Sequence, residues 1–154
     1  MRVVSYEILI HAPAHTVYHH LTDPAALLTW IADSAESEPV AGGRIRWTFA
    51  NKATMLGRYV ELRPPHRLVF SYGWEDDLMG VPPESTLVEI DLRPHPDGTL
   101  LTLTHRLLPD PAAEQHRHGW DHFLQRLATR LARPEGRAPA RPDIQLPAPA
   151  ADGE

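Results

Sequence analysis

The chain has 154 residues, the length of one ordinary domain, enough to hold a core without a metal or a disulfide. It contains no cysteine, which excludes disulfides, thiolate metal sites and cysteine nucleophiles. A net charge of -5 at pH 7 argues against a nucleic-acid partner or an anionic membrane surface, while 16 prolines are too many for a compact helical bundle.

No segment approaches the roughly 18 uninterrupted apolar residues of a membrane helix, so no membrane insertion is expected. The opening run carries Glu7 where the apolar core of a signal peptide would lie, which makes the cytoplasm the expected location. Val4, Tyr6, Ile8 and Ile10 then alternate with smaller or polar neighbours, the period of a strand with one buried face. A short helix is expected over 14–21, with Val17 and Leu21 on one face. A second begins at Asp23-Pro24, a capping residue followed by a proline suited to the first helical turn, and turns Leu27, Trp30 and Ile31 inward.

Gly42-Gly43 signals a turn before an alternating strand over 44–49. Further strands are expected over 54–63, ended by Pro64-Pro65, and over 67–74. Residues 75–83 read as a loop, acidic at first and then apolar. Strands over 86–92 and 100–107 form a hairpin whose connection, 93–99, holds an Asp-Gly turn. Pro109 and Pro111 introduce a long helix over 112–131, with Trp120, Phe123, Leu124, Leu127 and Leu131 in one apolar stripe. Residues 133–154 carry five of the prolines and read as a Pro/Ala-rich, disordered tail after a domain spanning 1–132. One strand, two short helices, about six further antiparallel strands and a long covering helix make an α+β fold with an antiparallel sheet.

Eight phrases in this order resemble a known family: the run 10–18 (IHAPAHTVY), Leu21-Thr22-Asp23-Pro24, Trp30, Gly42-Gly43, Gly57, the run 64–72 (PPHRLVFSY), the run 98–105 (GTLLTLTH) and Gly119-Trp120. Over residues 3–132 the chain resembles the SRPBCC superfamily (START and birch-pollen-allergen-like, helix-grip fold). Within it, the resemblance is to the bacterial branch of the activator of heat-shock protein 90 ATPase homologue family. The resemblance implies a seven-stranded antiparallel sheet curved around the C-terminal helix, with a deep cavity between them. Relatives commonly hold an apolar ligand there, and a minority act as aromatase/cyclases or hydrolases. The family name implies chaperone activation, a property of eukaryotic multi-domain members.

The candidate ligand-binding residues are the side chains that can face such a cavity. Trp30, Trp47, Trp74 and Trp120 either stack on a flat ligand or fill ordinary core. Leu124 shares the Trp120 stripe. His105 shares strand parity with Leu101 and Leu103, and Tyr72 with Leu68, Phe70 and Trp74. Met55 and Tyr59 alternate with Leu56, Val60 and Leu62, and both faces are half apolar, so the inward set stays open. His105, Tyr72 and Glu75 are the candidate catalytic groups, the last either a rim carboxylate or part of a solvated turn with Asp76 and Asp77. Residues 78–83 form either a lid or a homodimer contact. His118 and His122 face away from the Trp120 stripe, and no motif brings three metal ligands together, so no metal is expected. No phosphate-binding or nucleophile-elbow motif is present, so no cofactor is expected. Three readings follow: binding of a small hydrophobic molecule, a cyclase- or hydrolase-type enzyme using the same cavity, and a co-chaperone-like interaction module.

Overall fold

Alternating apolar residues on successive segments can bury one face only by pairing into a sheet and covering that face. The computed structural model describes residues 2–132, and the tail expected over 133–154 lies outside the described residues. In chain order it comprises β1 (Arg2–Ile10), α1 (Ala14–Thr22), α2 (Pro24–Leu27), β2 (Ser34–Ser37), β3 (Arg44–Thr48), β4 (Thr54–Arg63), β5 (Arg67–Tyr72), β6 (Thr86–His95), β7 (Gly98–Leu108) and α3 (Asp110–Leu131). The seven strands form one sheet in the order β1-β7-β6-β5-β4-β3-β2. Every neighbouring pair is antiparallel.

The core lies between the concave face of this sheet and α3. Leu101, Leu103 and His105 of β7 are all fully buried, as their shared parity requires. On β4 the inward set is Met55, Gly57 and Tyr59, whereas Arg58 and Val60 face solvent. A register shift between Tyr59 and Glu61 then lets Leu62 rejoin the core. Trp120, Leu124 and Leu127 of α3 are buried, with Phe123 and Leu131 packed at the edge. The Tyr6 hydroxyl donates to Asp121 Oδ1 at 2.7 Å and fixes α3 against β1.

Three details differ from expectation. The sheet has seven strands as expected, but no strand is placed over 34–37 by pattern: β2, Ser-Ala-Glu-Ser, carries no hydrophobic alternation and is an edge strand held by its pairing to β3. The connection expected over 93–99 shrinks to Pro96-Asp97, because β6 continues to His95 and β7 begins at Gly98. Pro94 sits within β6 because its pairing with β5 reaches only Asp91, which leaves one side of the strand free of ladder bonds there. Gly98 is needed at φ 145°, where a side chain would strike the Ile10 carbonyl. The strand expected over 67–74 ends at Tyr72, and Trp74 is held instead by an isolated bridge to Met55.

The two short helices orient the remaining large core residue. The Asp23 carboxylate accepts from the Ala26 amide at 3.0 Å and starts α2, which carries the chain into fully buried Trp30. The Trp30 indole donates to the His20 carbonyl at 2.8 Å. Replacing Asp23 with Ala removes this cap and is expected to lower the unfolding free energy by about 1 kcal/mol, read by urea denaturation at neutral pH.

Candidate functional site

One cavity, of about 360 Å³, opens between the end of β5, the β3–β4 turn and the first half of α3. Phe49, Tyr72, Trp74, Trp120 and Phe123 supply its aromatic walls. The Phe49 ring lies 5.4 Å from both Trp74 and Phe123, centroid to centroid. Tyr72 is buried among them, with its ring 5.6 Å from Trp74 and 5.8 Å from Trp120. Ala50, Ala53 and Gly119 leave the space between these rings unfilled. A Cβ added at Gly119 would meet nothing within 4 Å.

The floor beneath the rings is polar and fully connected. The Trp120 indole N–H donates to His105 Nδ1 at 3.0 Å. That fixes the tautomer, so His105 Nε2–H donates to the Thr86 hydroxyl at 2.8 Å. The Thr86 hydroxyl in turn donates to the Tyr72 carbonyl at 2.7 Å. A second pair stands beside this chain. His116 Nδ1–H donates to the Ala112 carbonyl at 2.8 Å, and its Nε2 accepts from the Trp74 indole at 3.1 Å. The two imidazoles meet edge to face at 5.4 Å.

Burial sets the charge state of every titratable group here. Desolvation, with His116 close by, depresses the His105 pKa to about 3. Desolvation also lowers the His116 pKa, although its bond to the Ala112 carbonyl opposes the shift. Both rings are therefore neutral at pH 7. Burial pushes the Tyr72 hydroxyl well above the ordinary tyrosine value, so it stays protonated.

A loop closes one side. The Trp74 amide donates to the Val81 carbonyl at 2.8 Å, so residues 75–80 fold out and return onto the end of β5. Gly73 makes this possible, because any side chain there would collide with the Pro82 carbonyl. Leu78–Gly80 form a single helical turn, and Met79 reaches the cavity.

Of the residues expected at the site, Tyr72, Trp74 and Trp120 line the cavity. His105 lies directly beneath it, fully buried, with both ring nitrogens engaged. Trp30, Trp47, Met55, Tyr59, Leu103 and Leu124 are buried in the core away from its lining. The Tyr59 hydroxyl bonds Ser37, and its pKa rises to about 12 through burial. Glu75 is exposed and pairs with Arg46 at 3.4 Å, outside the cavity. The sequence reading missed His116 and Phe49. His116 lies one helical turn before Trp120, so the stripe extended backwards points to it.

Among the described residues, no three His, Asp or Glu side chains converge as metal ligands. No helix among them is long and apolar enough to cross a membrane.

A seven-stranded antiparallel sheet closed over a long C-terminal helix, with a cavity between them, defines a helix-grip protein of the SRPBCC class. The family model described as Activator of Hsp90 ATPase homolog 1-like protein matches residues 11–132, and the chain belongs to that family. Protein MLL2253 from Mesorhizobium loti superposes with a TM-score of 0.77 at 22% identity, covering 87% of this chain and 99% of that one. Protein CV1439 from Chromobacterium violaceum does so at 0.71 and 25%, covering 86% and 98%. The Aha1 dimer from Colwellia psychrerythraea, solved in solution, matches at 0.71 and 21%, covering 85% and 96%. No curated protein matches the sequence.

The depressed histidine pKa values carry a sign. Folded His105 takes up a proton only near pH 3, whereas the unfolded chain takes it up near 6.5. Unfolding therefore binds protons below 6.5, and stability present above that pH is lost as pH falls toward 3. Urea unfolding between pH 6 and 4 is expected to show a fall approaching about 1.4 kcal/mol per pH unit for each histidine still neutral in the fold. In His105→Phe the Trp120 indole loses its acceptor; the cost is expected to be about 2 kcal/mol at pH 7, with a shallower acid slope.

Proposed function

We propose that this protein binds a small hydrophobic, aromatic molecule in the cavity between the sheet and α3. The observation that carries the reading is the cavity itself: five aromatic rings around unfilled space, with no Asp, Glu, Lys or Arg in its lining. Gly119 supports it independently. A glycine in a helix interior costs about 1 kcal/mol relative to alanine, and here no neighbouring atom within 4 Å demands one. What its missing side chain leaves is room in the cavity.

The cyclase or hydrolase alternative needs an acid and a base inside the cavity. His105 has no free ring nitrogen, and Glu75 is held at the surface by Arg46. Those two groups, taken as the acid–base pair, thus give the alternative no support. Met79 in the cavity lining favours the lid reading of the 78–83 loop. Support for a homodimer comes from the Colwellia relative, which was solved as a dimer. The cytoplasmic location remains part of the proposal, as does a domain ending at 132.

Gly119→Leu tests the binding reading directly. Leucine is a better helix former than glycine by nearly 1 kcal/mol, so the melting temperature is expected to hold or rise. Its side chain fills the cavity, so hydrophobic compounds that shift tryptophan emission of the wild type are expected to lose that effect. A variant that binds them as well as the wild type overturns the proposal, and so does a wild type that responds to none of a broad hydrophobic panel.

A further inference from the structure

The cavity's hydrogen-bonding inventory restricts what fits in it. Both indole N–H groups on its wall are already committed, Trp74 to His116 Nε2 and Trp120 to His105 Nδ1. The His116 Nδ1–H is committed to Ala112, and the Tyr72 carbonyl already accepts from Thr86. Asn51 and Gln115 stand at the exposed mouth, and the Asn51 side-chain oxygen accepts from the Ala53 amide. One polar group is left at depth. Tyr72 is only 5% exposed and lines the cavity, and its hydroxyl has no hydrogen-bond partner among the described residues.

The hydroxyl itself is not sealed off but stays reachable from the cavity; an occupant that displaces water there leaves it unpaired, at a cost, unless a ligand atom pairs with it. We infer that the ligand is an uncharged aromatic molecule carrying a neutral oxygen acceptor, a ketone, quinone or ester carbonyl, that accepts a hydrogen bond from the Tyr72 hydroxyl. This rests on the binding proposal above and adds the chemistry of the occupant. The phenol remains protonated in this setting, so it offers a donor at neutral pH. A carboxylate would find one donor at depth, amides only at the mouth and no cationic side chain, and its desolvation would go largely uncompensated. A cation would find aromatic rings but no carboxylate to balance it. Tyr72 is thus a specificity-determining residue, and the paired tryptophans and histidines are walls that offer a ligand nothing else to bond.

The test holds the ring system constant and changes one group. The probes are 2-acetonaphthone, 2-ethylnaphthalene, 2-naphthoate and the 2-naphthyltrimethylammonium ion. Each is titrated into the full chain and its Tyr72→Phe variant, with indole N–H signals followed by NMR. The ketone is expected to bind the wild type about fivefold more tightly than the hydrocarbon, the worth of one neutral hydrogen bond. The two ions are expected to bind at least about tenfold more weakly than the ketone. In Tyr72→Phe the ketone falls to the level of the hydrocarbon, whose own affinity changes less than about twofold and so reports that the cavity is intact. Ketone preference that survives in Tyr72→Phe overturns the inference, as does either ion binding as tightly as the ketone. Equal binding of all four probes overturns it while leaving the cavity reading standing. If no probe binds the wild type, both fall together.

Discussion

The hydrogen-bond chain from the Trp120 indole through His105 and Thr86 to the Tyr72 carbonyl joins four elements in three steps. It begins on α3, crosses β7 and β6, and ends on the last residue of β5. Apolar packing alone would press α3 onto the sheet without fixing its rotation or its position along the strands. A donor that can only donate, aimed at an acceptor fixed on a strand, settles both. The companion bond from Trp74 to His116 does the same from the sheet side, just past β5.

The cavity follows from that fixation. With α3 held by its tryptophan and histidine, the helix cannot sink into the space beside Gly119, and the small residues Ala50 and Ala53 do not fill it from the other side. Close packing is the ordinary state of a protein interior, so a void of this size needs something to resist collapse. Here the resistance is polar. Shifting α3 inward would break bonds buried away from water, each leaving an unsatisfied group. The loop after β5 adds to this by folding back through the Trp74–Val81 bond, which Gly73 permits.

Much of this arrangement was legible in the sequence, and the rest was not for identifiable reasons. Period-two alternation placed β1, β3, β4 and β7, and the Asp-Pro and Pro-Pro pairs placed the helix start and strand end around them. Parity with Leu101 and Leu103 places His105 inward, and those three side chains are all buried. β2 was hidden because its residues have no pattern of their own; the strand exists through its partner. The inward face of β4 was undecidable because a register shift at Tyr59 puts apolar residues on both parities. At the site, sequence identified large side chains but not which of them border empty space. Trp30 and Trp47 are as buried as Trp74 and Trp120, and only the three-dimensional arrangement separates wall from core.

Holding tryptophans by histidines also shapes what kind of site this is. A tryptophan whose indole N–H is free can turn to meet a ligand, and ordering it on binding costs rotamer entropy. Trp74 and Trp120 are ordered beforehand, each by one bond to a neutral imidazole. The same bonds oppose protonation of both histidines, because protonating either ring would replace an acceptor with a donor facing an indole N–H. In this structure each imidazole holds one indole N–H in place. The fixed orientation of the aromatic walls and the neutral, fully engaged rings of His105 and His116 are two consequences of one set of hydrogen bonds.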